Sequence, residues 1–268
     1  MLFISPPDRQ SRLVKLATWN VNSLKVRLPH VIDWLADNPV DALCLQELKL
    51  DQDKFPAAEL EAIGYHAAWS GQKTYNGVAI LTRAPQQPQD VIAGIPGYDD
   101  PQRRLLAATV GDVRVISAYC VNGESLSSDK YAYKLDWYAR LADFVADELS
   151  RHPRLALAGD FNIAPDDRDL YDPAGWAGQV LCSDAERAAF QRLLGLGLSD
   201  AFRQLNDEAG CYSWWDYRQG MFRRDKGLRI DHVLLSAPLA AGLDACVIDK
   251  TPRRWERPSD HAPVVASF

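Results

Sequence analysis

What the chain lacks narrows it first. Its five cysteines, Cys44, Cys120, Cys182, Cys211 and Cys246, form no CxxC pair and are odd in number. That argues for buried, reduced thiols rather than a disulfide framework or a zinc site. No stretch approaches membrane-spanning length. No GxGxxG follows the first strand, which excludes a Rossmann dinucleotide site. There is no low-complexity linker, no fixed-period repeat, and no Ser or Cys set in a nucleophile motif, so a covalent intermediate is disfavoured. Nor is there any bulk positive charge: the formal net charge is -6. Any nucleic-acid contact must then come from local basic clusters, with the excess acid elsewhere or at a metal. The leading residues MLFISPPDRQSR carry no long apolar core and two prolines. Residues 1–12 read as a loose extension, and the protein as cytoplasmic.

What is present is an ordinary globular composition, 47% hydrophobic and 25% charged over 268 residues. It is enough to build one domain across residues 13–268. Apolar runs alternate with amphipathic segments. Strands are expected at 13–20, 41–47, 65–70, 77–83, 104–110, 113–120, 155–160, 230–235, 246–249 and 262–268. Gly111-Asp112 marks a hairpin. Helices are expected from about Leu28 to Asp37 and over 129–150, the latter with an apolar stripe through Tyr133, Trp137, Leu141, Phe144, Val145 and Leu149. A third helix starts at Ser183, with Glu186 completing a capping box. The pattern fits an α/β domain of two packed sheets flanked by helices.

One stretch stands out, LALAGDFNIAP over 155–165. An apolar run stops abruptly and delivers Asp160 and Asn162 to one side, with Phe161 on the other if period-2 alternation continues. Other apolar runs end the same way: Asn20 and Asn22, Glu47, Tyr119, Asp231, and Asp260-His261. Each has an ordinary explanation alone, as a turn cap, a surface ion pair, a rim aromatic or a structural histidine. Together, at converging strand ends, they would form a pocket rich in oxygen donors. Such a set suits a hard cation such as Mg²⁺ or Mn²⁺. A His beside an Asp can stabilise charge on phosphate oxygens, and a second carboxylate can deprotonate water. These are the parts that metal-assisted phosphodiester hydrolysis requires. His30, His66, His152 and His232 have no such company and read as structural or exposed.

WNVNSL (19–24), LQELKL (45–50), GDFNIAP (159–165), GLRIDHVL (227–234) and RPSDHAPV (257–264) resemble, in order, the motifs of the exonuclease III family. These are the abasic-site endonucleases of the endonuclease/exonuclease/phosphatase superfamily, and the resemblance runs from about residue 14 to the end. It implies a DNase I-like four-layered sandwich of two mixed sheets between helices. It also implies a Mg²⁺-dependent (or Mn²⁺-dependent) DNA-repair hydrolase that cuts double-stranded DNA 5′ to abasic sites. Such an enzyme can also digest 3′→5′ or clean 3′ ends, and works as a monomer. By resemblance, Glu47 is the principal metal ligand, with Asn20, Asp160, Asn162 and Asp260 completing the metal site. Asp160 orients or deprotonates the attacking water, and Asn162 holds Asp160 and a phosphate oxygen. Tyr119 contacts the scissile phosphate. His261 stabilises the transition state, oriented by Asp231, which should raise the histidine's pKa above its ordinary ~6.5.

DNA contacts are expected at Asn22, Lys25, Arg27, Lys73, Arg103, Arg223 and Arg224. The clusters Arg253-Arg254-Arg257 and Lys226-Arg229, with Lys49, are further sources of positive charge. Trp214, Leu228 and Ile230 match an apolar pocket for a flipped abasic sugar. Trp215, Met221 and Phe222 are candidate wedge residues. Two other readings stay open, a same-superfamily hydrolase of a small phosphodiester and an inactive nucleic-acid-binding relative.

Overall fold

The computed structural model describes residues 14–268; the expected extension at 1–12 lies outside them. The strands are β1 Lys15–Asn20, β2 Ala42–Gln46, β3 Tyr65–Ser70, β4 Val78–Arg83, β5 Gln89–Ala93, β6 Leu105–Val110, β7 Val113–Tyr119, β8 Leu155–Asp160, β9 Leu198–Asp200, β10 Asp231–Ser236, β11 Ala245–Ile248 and β12 Val264–Ser267. The helices are α1 Leu24–Asp37, α2 Ala57–Ala62, α3 Asp129–Arg151, α4 Pro173–Trp176, α5 Asp184–Leu194, α6 Ala201–Leu205 and α7 Ala237–Ala240.

The strands form two six-stranded sheets, in the orders β11-β12-β1-β2-β4-β3 and β5-β6-β7-β8-β10-β9. Each sheet has one parallel pair, β1 with β2 and β7 with β8, and is otherwise antiparallel. Strand alternation sorts the side chains into layers. On β8, Ala156 and Ala158 face the other sheet and share the inter-sheet core with Leu16, Cys44, Ile80 and Val264 of that sheet and with Val115 and Val233 of their own. Leu155 and Leu157 face outward onto Trp137, Leu141 and Val145 of α3 and Phe190 of α5. On the other sheet, Trp19, Leu43 and Leu81 face Val31, Trp34 and Leu35 of α1. The result is helix, sheet, sheet, helix, the expected four-layered sandwich.

The differences from expectation are local. α1 begins at Leu24, not Leu28, with Pro29 inside it; a proline reads as a helix start, but here the preceding turn is already formed. The expected stripe of α3 is buried at Trp137, Leu141, Phe144 and Val145. Lys134 and Glu148 of that helix are also fully buried, each in an ion pair. β5 and β9 carry no clear sequence signal; β5 is a largely exposed edge. Ser183 and Glu186 form the expected capping box. All five cysteines are free, and four are buried. Among the described residues, no helix is long and apolar enough to cross a membrane.

Candidate active site

Alternation also explains why the polar strand ends meet. Asp160 continues the parity of Ala156 and Ala158, and Asp231 that of Val233 and Leu235. Asn20 continues that of Leu16, so all three emerge in the space between the sheets. Tyr119 follows Val113 and Val115 to the same place. The apolar inter-sheet layer gives way to a buried polar step first. There the Gln46 amide donates to Thr18 Oγ1 (3.0 Å) and Ser117 Oγ (3.2 Å). Beyond it the carboxylates converge.

The centre is a connected run. His261 Nδ1 lies 2.9 Å from Asp231 Oδ2, and Ser213 Oγ donates to the same oxygen at 2.6 Å. His261 Nε2 faces Asp160 Oδ2 at 3.8 Å. The Asn20 amide donates to Asp160 Oδ2 (2.9 Å) and to Glu47 Oε1 (2.8 Å). One ligand atom each from Glu47, Asp160 and His261 lie within 4.8 Å of one another. Asp160, Asp231 and His261 are buried, and Glu47 is partly open.

Asn162 reaches Asp160 in an unexpected way. The strand ends at Asp160 and Asn162 turns into the left-handed region, φ 49°. Its backbone N–H donates to Asp160 Oδ1 (2.9 Å) and its side-chain amide to Asp160 Oδ2 (3.3 Å). A turn in which the carboxylate caps the following backbone, not strand alternation, brings the two together. Phe161 does point the other way, into the α5 layer against Phe190.

Electrostatics follow from burial and neighbours. Burial alone would lower the His261 pKa, but the carboxylates of Asp231 and Asp160 overcome it, and the imidazole stays protonated well above its ordinary range. Burial raises Asp160; the His261 charge opposes this and Asp231 adds to it. Burial, then Glu47 and Asp160, hold the Tyr119 phenol well above its ordinary value, so it is a hydrogen-bond donor. The Arg104 guanidinium lies 4.9 Å from the Tyr119 ring centroid.

Asp260 stands apart from the central three. Its oxygens accept from Asn22 Nδ2 and Trp214 Nε1, both at 2.9 Å. It reaches the centre through Asn22, to which Lys49 also donates, while the Lys49 ammonium lies 2.7 Å from Glu47 Oε2. Asn20 turns its amide nitrogen, not its oxygen, to the two carboxylates.

Of the expected DNA contacts, Lys25, Lys73, Arg103, Arg223 and Arg224 are exposed. Arg27 is not free: it donates to the carbonyls of Asn22, Arg257 and Pro258 and to Tyr217. Arg229 is buried in ion pairs with Asp169 and Asp200, and Arg253 is buried against Phe222. Neither guanidinium can reach a phosphate. Leu228 and Ile230 are 0% and 2% exposed, packed on Ala164, Leu170, Leu181 and Cys182, with Trp214 half-buried beside them. Trp215 is fully buried, which rules it out as a wedge, and Met221 and Phe222 pack partly buried against it. Sequence reasoning overlooked Ser213 and Asn122. Asn122 donates to Asn162 Oδ1 at 3.0 Å, and only its place three residues after Tyr119 hinted at this. A cleft of about 710 Å³ opens beside Glu47, lined by Lys49, Tyr75, Arg104, Tyr119 and Asn122.

The arrangement offers a buried anion pair, a protonated imidazole and a phenol donor at the mouth of a cleft. That is suited to holding a cation and an electron-rich tetrahedral group together. A model of the Endonuclease/Exonuclease/phosphatase family matches residues 17–261. The chain is 36% identical to an exodeoxyribonuclease III of Haemophilus influenzae, across 95% of this chain and all of the relative. A solved Neisseria 3′ phosphatase bound to product DNA hairpin superposes with a TM-score of 0.93 at 59% identity, covering 95% of this chain and 99% of that one. An AP endonuclease from Archaeoglobus fulgidus gives 0.91 at 38% identity, with the same coverage.

Proposed function

Because the chain belongs to the endonuclease/exonuclease/phosphatase family, in its exonuclease III branch, and is a nuclease, we propose that it hydrolyses phosphate esters at DNA 3′ ends and 5′ to abasic sites with the help of a bound divalent cation. The observation that carries this reading is the unbroken run Asp231, His261, Asp160, Asn20, Glu47.

The residues fit a hard cation. The Glu47 and Asp160 carboxylates come within 4.8 Å of each other with the Asn20 amide between them, while the protonated His261 beside them is a donor and not a ligand. Burial has raised the Asp160 pKa, a cost that a cation beside it would offset. Glu47 and Asp160 would hold it, with Asn20 between them and Asn162 and Asp260 at the margin. A bound Mg²⁺, with Mn²⁺ as the alternative, supplies Lewis-acid polarisation of a phosphate oxygen. The chain's own groups do the rest. Asp160, fixed by Asn162, orients a water and takes its proton. His261 keeps Nδ1–H on Asp231 and directs Nε2–H at a phosphate oxygen as charge develops there. Tyr119 donates to the same phosphate. The exposed Lys73, Arg103, Arg223 and Arg224 neutralise flanking phosphates.

One observation favours 3′ ends over internal abasic sites. Leu228 and Ile230, expected to wall a sugar pocket, have almost no free surface. The Neisseria relative described as a 3′ phosphatase points the same way. The test uses three labelled duplexes: one with a 3′-terminal phosphate, one with a plain recessed 3′ end, and one with an internal abasic analogue, each with Mg²⁺ and with EDTA. Release of the 3′-terminal phosphate is expected to be fastest and EDTA to stop all three reactions. No turnover on any duplex under Mg²⁺ overturns the nuclease reading; EDTA-insensitive turnover overturns the metal; abasic cleavage as fast as phosphate release overturns the ranking.

A further inference from the structure

α3 carries two fully buried ion pairs, one near each end. Near its C-terminus, Glu148 pairs with Arg114, the second residue of β7, which lies in register with Leu155, the first residue of β8. Near its N-terminus, Lys134 pairs with Glu186 of α5. The two helix positions are ~21 Å apart at 1.5 Å per residue. β7 and β8 run parallel, so the first pair sits under the strand starts and the second under the strand ends, where Tyr119 and Asp160 emerge.

The three ammonium protons of Lys134 have three acceptors: Glu186 Oε1, the carbonyl of Asn122 (3.0 Å) and the carbonyl of Asn162 (2.7 Å). Those carbonyls belong to the two loops that leave β7 and β8 for the site. Asn162 is held there with φ 49°, a conformation that side-chain-bearing residues rarely adopt. Its side chain links Asp160, the Cys120 carbonyl and Asn122. Glu186 is held in turn. It accepts from the backbone N–H groups of Leu181 and Ser183, both at 3.0 Å, and from Ser183 Oγ at 2.7 Å. A buried ion pair is a poor net stabiliser, since desolvation of both charges offsets their attraction. This pair uses its donors to fix the two loop peptides.

We propose that Lys134, anchored by Glu186, is a positioning residue for hydrolysis: it locks the peptides of Asn122 and Asn162, and through Asn162 sets the direction of the Asp160 carboxylate. The inference rests on the role given above to Asp160.

The test compares Lys134→Met with Arg114→Met. Both remove the cation of a buried pair on the same helix while keeping an extended side chain, and both are expected to lower Tm. kcat, KM and DNA affinity are measured on the 3′-phosphate duplex under Mg²⁺, below the melting range of each variant, with Asp160→Asn alongside. Lys134→Met is expected to lose about 10- to 100-fold in kcat, as a misplacement of order 1 Å does, with KM and DNA affinity within about threefold of the parent. Arg114→Met is expected to keep kcat within about twofold. Equal loss of kcat in both variants, or none in Lys134→Met, overturns the proposal. If Lys134→Met does not fold, Glu186→Gln replaces it, with Glu148→Gln as its control. A several-fold loss of kcat confined to Glu186→Gln supports the proposal, and an unchanged kcat overturns it. An inactive parent would instead refute the functional reading. An active parent with a dead Asp160→Asn and a fully active Lys134→Met refutes only the positioning role.

Discussion

Replacing Gly159 by alanine is the sharpest probe of how the fold holds the site. Gly159 lies on β8, in register with Ala118 of β7, one residue before the pair Tyr119 and Asp160. An ideal Cβ built on Gly159 would stand 1.9 Å from the Ala118 carbonyl oxygen and 2.8 Å from its carbon, where real Cβ contacts below 3.0 Å essentially do not occur. The obstacle is the backbone of a central strand and has no rotamer to give. β7 and β8 must therefore part by about 1 Å, next to the two residues proposed to face the phosphate. Overpacking costs about 1–3 kcal/mol in side-chain cases. With backbone as the obstacle the upper figure applies, and about 3 kcal/mol corresponds to a fall in Tm of about 6–12 °C for a chain of this size. A 1 Å displacement of the reacting groups costs about 100-fold in turnover. Thermal denaturation and single-turnover hydrolysis of the 3′-phosphate duplex measure both. Gly242→Ala is the control, since its nearest neighbours would lie at an ordinary 3.6 Å. A Gly159→Ala enzyme with parental Tm and turnover would refute the steric argument.

Other substitutions separate the remaining roles. Asp160→Asn keeps the shape and removes the proposed base, so turnover is expected to fall by at least about 100-fold, with DNA affinity largely kept in a binding titration; loss of binding with normal turnover of the bound enzyme would contradict it. Asp231→Asn removes the main charge that holds the His261 pKa up. The protonated imidazole, favoured at lower pH and lost as pH rises through its raised pKa, should then be lost at a lower pH. The alkaline limb of the rate profile is expected to move toward neutrality, and a limb that stays in place would refute the orientation given to the pair. In the buried cluster of Asp200, Arg229 and His232, burial tends to raise the Asp200 pKa, but Arg229 and His232 hold it below the ordinary carboxylate value. The stability it contributes is present above about pH 3.9 and fades as pH falls toward the depressed pKa. Arg229→Met should cost about 3–5 kcal/mol at pH 7 and less near pH 3, read by denaturant melts at both; an equal cost at both would refute it.

Much of the site was legible because its chemistry is written at strand ends. Asp160, Asn20 and Tyr119 each close a strand and Asp231 opens one, and in each the parity, read along the strand, faces the other sheet. Where parity failed, a turn had intervened: Asn162 reaches Asp160 through a left-handed backbone that no period-2 pattern describes. Charge was harder to read. Arg229, Arg253 and Arg27 look like exposed basic clusters in the sequence, yet the fold uses all three internally, while Lys134 on an amphipathic helix gave no sign of lying beneath the site. An arginine has the same letter whether it meets a phosphate or a buried aspartate; only its neighbours decide.

By itself the sequence determined the layered α/β architecture, the family, and the candidate residues proposed to hold a cation and a phosphate, because hydrophobic period and residue chemistry are local properties. The tertiary structure decided which of those residues touch. It joined Asp231, His261, Asp160, Asn20 and Glu47 into one run, set Asp260 aside on Asn22 and Trp214, and packed Leu228 and Ile230 out of reach. Those outcomes depend on sheet order and on burial, which arise only when segments from 27 to 238 residues apart are brought together.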